Sequence, residues 1–391
     1  MSVDPRSAAA AAQLARSSNA FGFDLYQRLR RTPGNLVVSP ASLTTALAMT
    51  WGGAQGETAA EMRKVLHLEG TADDVMVTSG ALIRSLQDPA RPLIFRIANQ
   101  LFGEKGYKLV PAYLEKIRAA FGAPLELLDF KTAPEPARRH INGWVEEKTE
   151  HRIKDLIPPG SLDGETRLVL VNAIYFLGDW AMPFEPTSTR PAPFHLSVSE
   201  TKDVPTMHSL GGFRIAQKAG VTALEIPYKG ESLSMLLLVP DAVDGLGALE
   251  ASLDAQRLDA LTAALKRELV AVGIPKFEVN PSASLSLGED LKALGMPLAF
   301  DHQKADFTGI ANPPHPADRL VIAKVFHKGF VRVDEKGTEA AAATSIDAVR
   351  AGAAMMQPRR LLADRPFLFL IRDNASGLIV FLGRVSDPSR T

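Results

Sequence analysis

Between Val333 and Pro366 the chain runs VDEKGTEAAAATSIDAVRAGAAMMQPRRLLADRP, about thirty residues with small side chains and few large apolar anchors. Strand-like apolar sequence flanks it on both sides. A structureless connection of that length inside a compact domain is uncommon, and where it occurs it is usually functional or disordered. Read with period two, Thr338, Ala340, Ala342, Thr344, Ile346 and Ala348 share one face. Glu339, Ala341, Ala343, Ser345 and Asp347 share the other. One face is small and buryable and the other carries the charges, the pattern of a half-buried strand. No proline breaks the ladder before Arg350. Alanine is also the best helix former, and Ile346, Val349, Ala353 and Met356 fit helical spacing. Pattern alone leaves a surface helix and a loop that can become a strand both open.

Composition removes many function classes. Lys and Arg total 44 and Asp and Glu total 44, so nothing draws the chain as a whole toward nucleic acid or an acidic membrane. With 46% hydrophobic residues a large core is expected. Cysteine is absent, so no disulfide, thiolate nucleophile or Cys-ligated metal is possible. The eight histidines are scattered and form no HExxH or His-x-His pair, so no metal is expected. There is no GxxxxGK[ST], and Gly245-Leu246-Gly247 lacks the third glycine of a dinucleotide fingerprint. No GxSxG nucleophile elbow occurs. The basic clusters Arg28-Leu29-Arg30-Arg31 and Arg138-Arg139-His140 read as solvated helix faces. An enzyme, a cofactor, a nucleic-acid partner and a membrane partner are therefore not expected. No apolar run approaches the ~18 residues of a membrane span. The N-terminal stretch has no secretory pattern and reads as a helix with Leu14, Phe21 and Leu25 on one side. A cytoplasmic chain or a processed secreted one both fit.

The elements alternate without regular βαβ order, which favours α+β over a doubly wound sheet. Helices are predicted after Pro40 (ended by Gly52-Gly53) and over Glu57–Leu68, Val75–Leu86, Pro111–Phe121 and Pro136–Glu150. Strands are predicted over Leu93–Phe102, Ser232–Pro240, Leu269–Val279, Leu320–Val333, Phe367–Ile371 and Leu378–Arg384, the last two joined by an Asn374–Gly377 turn. Leu168–Leu177 is apolar almost throughout and predicts a central strand covered on both faces.

The segment Glu335-Lys336-Gly337-Thr338-Glu339-Ala340-Ala341-Ala342-Ala343-Thr344 resembles the hinge of the reactive-centre loop in inhibitory serpins, the serine protease inhibitor family. NLVVSPASLTTALAMTWGGAQGET (Asn35–Thr58), LVLVNAIYFLGDWAMPF (Leu168–Phe184), Val204–Met207, Ile274–Phe277, His327-Lys328 and ADRPFLFLIRDNASGLIVFLGRVSDP (Ala363–Pro388) are similar to further family signatures, in family order. The resemblance spans nearly the whole chain. It implies one domain over residues 1–391, built from three β-sheets and eight or nine helices, with an exposed reactive-centre loop over residues 335–362. It also implies a suicide substrate. A serine protease cuts the loop, and the cut loop enters the central sheet as a strand and traps the acyl-enzyme. Insertion of this kind is a documented example of strand addition and released strain. The alternative is a non-inhibitory binding or chaperone-like member, which the small inner face of the hinge disfavours.

By the resemblance, Glu335, Gly337, Thr338, Ala340, Ala341, Ala342 and Ala343 form the hinge, where Gly337 would supply unusual backbone angles. Ser39, Ser42, Asn172 and His327 match the shutter, a polar cluster under the middle of the sheet. Trp180, Lys276 and Glu335 match the breach at its top, where the last two would form an ion pair. Counting sixteen residues from Glu335 puts the scissile bond at Ala351–Gly352. Counting back from Pro366 gives Met355, and Met356 and Arg350 are further alternatives. Ala351 suits an elastase-like or subtilisin-like protease, the methionines an elastase- or chymotrypsin-like one, and Arg350 a trypsin-like one. Arg84 is the only base in Thr71–Asp88, where some members bind heparin, so no polyanion activator is expected. A monomer is expected.

Overall fold

An apolar run that does not alternate needs cover on both faces, and Leu168–Asp179 receives it. Val169, Val171, Ala173 and Tyr175 pack on one side against Ile141 and Val145 of the helix Pro134–Lys148 and against Ile153, Leu156 and Ile157 beyond it. On the other side Leu168 and Leu170 join the core around the helix Pro40–Trp51. Ile174, Phe176 and Trp180 enter a second core beneath the other sheet, with Leu224, Phe369 and Phe381. The computed structural model in which these contacts are seen describes residues 5–122, 125–315, 318–338 and 357–390.

Among the described residues the strands form two hydrogen-bonded ladders. The central sheet runs Phe277–Val279, Ile322–Val333, Gly337–Thr338, Leu168–Asp179, Leu93–Glu104, Glu126–Leu128, and Leu285–Ser286 also pairs with Ile322–Val333. The second ladder runs Leu36–Val38, Ile379–Val385, Phe367–Asp373, Leu233–Pro240, Val221–Pro227, Thr201–Lys218, Lys266–Pro275, Arg359–Leu362, with Arg190–His195 beside Thr201–Lys218. This agrees with the three-sheet architecture that the resemblance implies. Its second and third sheets are continuous here because Thr201–Lys218, 18 residues long, serves both. The first end of that strand pairs with Arg190–His195 and the last with Val221–Pro227.

The helix Pro40–Trp51 is buried at every residue and touches both sheets. Ser39 caps it, accepting a hydrogen bond from the Ser42 amide, and Pro40 holds the first helical position, where its missing N–H is harmless. The other predicted helices stand within a few residues of their expected ends. Thr71 caps Ala72–Leu86 through the Asp74 amide, which moves that start upstream of Val75. Gly56–Val65 stops before Leu68, at a turn in which His67 has φ 52°.

One predicted strand needs correction, and one long strand was missed. Leu269–Val279 is two strands in different sheets, Lys266–Pro275 and Phe277–Val279. Pro275 cannot donate to a ladder, and Lys276 turns to bond the Pro205 carbonyl (2.8 Å). Thr201–Lys218 was not anticipated at all: its polar start and Gly211-Gly212 erase the alternation by which a strand is read.

Candidate functional site

The strand Leu168–Asp179 and the strand Ile322–Val333 lie parallel and adjacent from Leu168/Ile322 to Tyr175/Phe330. Beyond that row they part. Gly337 and Thr338 occupy the fork, with Gly337 opposite Asp179 and Thr338 level with both Gly178 and Val333. Thr338 is fully buried, and its hydroxyl is 2.7 Å from that of Tyr228. Burial pushes the Tyr228 phenol far above its ordinary range, so this pair is neutral at any working pH. Gly337 and Thr338, the third and fourth residues of the expected loop 335–362, are therefore already strand residues.

Gly337 is required here for space. Its φ is not among the positive values, which corrects the expectation of an unusual backbone angle. A Cβ at Gly337 would lie 2.0 Å from the Gly178 carbonyl oxygen and 2.7 Å from the Asp179 Cα. Only a residue without a side chain passes that close to a neighbouring backbone.

Around the mouth of the fork the chain is clasped. Lys276 Nζ donates to both Glu335 carboxylate oxygens, at 2.8 and 3.1 Å. Thr189 Oγ1 donates to Glu335 Oε1 at 2.8 Å. Burial pushes the Glu335 carboxyl up, but the hydrogen bonds from Lys276 and Thr189 outweigh it and hold the group below the usual glutamate range. The Trp180 indole stacks on Tyr228 with centroids 4.7 Å apart, and its Nε1 donates to the Asp334 carbonyl at 3.0 Å. The Trp180 and Phe184 amides donate to the carbonyls of Lys336 and Glu335, at 2.8 and 2.7 Å. Trp180, Lys276 and Glu335 thus meet at one end of the sheet. Sequence reasoning missed Tyr228 and Thr189, which carry no local pattern.

Midway down the sheet a second polar group crosses three strands in one row: Asn99, Asn172 and His327 are register partners. The Ser39 amide donates to His327 Nε2 at 3.1 Å, which leaves Nδ1–H to donate to Asn172 Oδ1. Asn172 Nδ2 donates to Ser42 Oγ at 2.7 Å and to Asn99 Oδ1. The Ser42 hydroxyl donates to Asn99 Oδ1 at 3.0 Å, and Asn99 returns a bond to the Ser42 carbonyl at 3.1 Å. Ser39, Ser42, Asn172 and His327 are completely buried. With no charge nearby to compensate, burial pushes the His327 imidazole down to about 3, so it is neutral at pH 7. Asn99 is the member that sequence reasoning missed. Its signal was a polar Asn-Gln pair inside the mostly apolar Leu93–Glu104.

Helix Pro134–Lys148 and its continuation lie across the sheet face beside this row. Lys328, next to His327, donates to the Lys154 carbonyl at 3.3 Å. Ala340–Ala343 and the scissile-bond candidates Arg350, Ala351, Gly352, Met355 and Met356 lie outside the described residues. Among the described residues no cluster of three His, Asp or Glu is arranged to hold a metal, and no helix is long and apolar enough to cross a membrane.

A forked sheet holding the start of a small-residue segment can admit the rest of it. The comparisons agree with that geometry. The family model for serpins (serine protease inhibitors) matches residues 16–388. The leukocyte elastase inhibitor of Equus caballus is 38% identical over 386 residues, covering 96% of this chain and all of that protein. Human serpin B9 is 40% identical over 359 residues, covering 90% and 93%. The crystal structure of Serpin48 from the insect Tenebrio molitor superposes with a TM-score of 0.85 at 32% identity, covering 96% of this chain and 98% of that one. The chain belongs to the serpins.

Proposed function

We propose that this chain inhibits an elastase-like, subtilisin-like or chymotrypsin-like serine protease by covalent trapping, with residues 335–362 as its reactive-centre loop in a single domain. The observation that carries the reading is the buried Gly337–Thr338 pair in the fork of the central sheet. Extended at the same register, each further loop residue drops one row between the two flanking strands. Thr344, six residues on from Thr338, then comes level with Asn172 and His327. Insertion past that row has to part the His327–Asn172 hydrogen bond, and the Thr344 hydroxyl is the replacement partner the sequence supplies. In this reading Ser39, Ser42, Asn172 and His327 hold the lower sheet shut. Lys276, Glu335 and Trp180 hold the fork at its mouth.

The protease serine attacks the carbonyl of the residue before the cut, for which Ala351 is the first choice and Met355, Met356 and Arg350 the alternatives. The peptide bond breaks, the new amine leaves on Gly352, and the serine ester remains. Insertion then competes with hydrolysis of that ester by water. The inner face from Ala340 to Ala348 favours insertion, because no charged group and nothing larger than Ile346 has to be buried on the way.

The test is incubation with leukocyte elastase followed by denaturing electrophoresis and mass spectrometry. An SDS-resistant complex and a released fragment starting at Gly352 are expected. A fragment starting elsewhere moves the bond. Turnover of intact to cut chain without a complex, across elastase, subtilisin, trypsin and chymotrypsin, would overturn the reading in favour of a non-inhibitory member.

A further inference from the structure

The first helix, Pro5–Leu29, runs on beyond its support. Ser17 Oγ donates to the His67 carbonyl at 2.6 Å and Asn19 Nδ2 to the Gly377 carbonyl at 2.9 Å, which pins the helix from its middle onward. Its buried residues begin only at Leu14. Before that point it lies beside Ala72–Leu86 with a run of alanines, which favour the helix but are too short to fill the space between two helices. Ala8, Ala11 and Ala12 on one wall and Val77, Ala81 and Leu82 on the other leave a groove of about 1090 Å³. Val77 is 60% exposed within it. Small-molecule sites are concave and mostly apolar, with a few placed polar groups.

The polar groups of this groove sort along the helix Ala72–Leu86. Near its end Arg91 donates to Ser85 Oγ at 3.0 Å and lies 3.7 Å from Asp373 Oδ1, so that charge is balanced. Near its start stand Glu69, Asp73 and Asp74. Lys116 pairs with Asp73 at 2.7 Å. Asp74 accepts from the Thr71 hydroxyl at 2.6 Å, and both aspartates lie at the positive end of the helix dipole. Glu69 has none of these and no partner among the described residues. In all, four carboxylates and one guanidinium line the groove, and no aromatic ring does.

We infer that the groove binds an aliphatic chain ending in a primary ammonium, with the chain between the two helices and the ammonium donating to Glu69. The excess of carboxylates repels an acid and attracts a cation. The missing aromatic cage disfavours a quaternary ammonium, whereas a primary one has three N–H donors for carboxylate oxygens. Aliphatic walls offer a straight chain burial and offer a flat ring nothing to stack on. The inference is independent of the trapping reading above.

The test is calorimetric titration of the full chain with decylamine, decan-1-ol and decanoic acid, which share a chain and differ in the head. Decylamine should bind one to one, about tenfold more tightly than either comparator, and the preference should shrink in high salt. Glu69→Gln should weaken decylamine about fivefold and leave decan-1-ol unchanged. Ala12→Trp and Ala81→Trp fill the groove from opposite walls and should each abolish decylamine binding at an unchanged melting temperature. Ala251→Trp, on the helix Leu246–Ser252 outside the groove, should change nothing.

Either comparator binding as tightly as decylamine would overturn the inference, as would binding by none of the three. So would decylamine binding that survives both groove-filling variants. A wild-type dimer that those variants dissolve, or capture of a basic amphipathic helical peptide without capture of decylamine, would assign the groove to a protein partner and overturn it too.

Discussion

The two polar regions of the central sheet sit on the same pair of strands yet are built differently. At the mouth of the fork the Lys276–Glu335 contact is charged and partly exposed, and the strands are already apart, with Thr338 buried between them. At the His327 row the contacts are neutral and fully buried, and the strands are still joined. The difference teaches where resistance to opening resides. A partly exposed ion pair contributes little, about 0–1 kcal/mol. A buried, mutually satisfied network leaves several groups unpaired when one member is lost, at about 1–3 kcal/mol for each orphan. In the proposed mechanism the fork is the doorway and the His327 row the bolt.

The sharpest way to break this contrast is Thr338→Arg. The fork has no room and no counter-charge for a guanidinium beside Tyr228, so the hinge should leave the sheet while the fold stays intact. Trapping should give way to turnover, with roughly tenfold or more inhibitor consumed per protease, equivalent to about 1.4 kcal/mol in the race with deacylation. Unchanged stoichiometry would show that the inner-face argument is wrong.

The largest loss of stability is expected for Asn172→Ala. It strips partners from His327, Ser42 and Asn99 at once, and urea denaturation should show a loss of about 3 kcal/mol. No single change at the fork should match that; if Lys276→Met does, the assignment of doorway and bolt is reversed.

Titration tests the same point without mutation. The imidazole of His327 binds its proton far less readily folded than unfolded. The native state therefore loses stability as pH falls below the unfolded value of about 6.5, by up to about 1.4 kcal/mol per pH unit, until the folded value of about 3 is reached. His327→Gln should flatten that slope between pH 6.5 and 4, and an unaltered slope would assign acid sensitivity to other groups.

The smallest effect is expected for Glu335→Gln. The Glu335 carboxyl is held below its ordinary range, so its contribution is present above about pH 4.3 and fades as pH falls further. At pH 7 the loss should be about 1 kcal/mol or less and should shrink in high salt. A larger, salt-insensitive loss would mean that the doorway is held as firmly as the bolt.

Much of this was legible in the amino-acid order. Leu168–Asp179 declared itself by an apolar run too continuous for a half-exposed strand. Ser39, Ser42, Asn172 and His327 could be grouped only through family likeness, since 288 positions separate Ser39 from its partner His327. Asn99 and Tyr228 stayed hidden because their meaning comes only from what lies across from them, Asn172 in one case and Thr338 in the other. Gly337 was picked out correctly but for the wrong reason: crowding by Gly178 cannot be read from neighbours in sequence. Leu210 and Leu269, exposed on the outer face of Thr201–Lys218 and Lys266–Pro275, were invisible for the opposite reason, since an apolar residue in a strand reads as core until the sheet shows which way it points.

One feature of the pairing sets the direction in which this molecule can change. Below the fork, Leu168–Asp179 and Ile322–Val333 run the same way, whereas Gly337–Thr338 runs against both. A strand threaded between them trades one slanted seam, the less stable kind per residue, for two straight ones. The same segment added at either edge would gain one seam and exchange nothing. Entry at the centre is thus a ratchet: the sheet that results has a better-bonded middle than the one that opened, and the chain has no comparable gain on the way back.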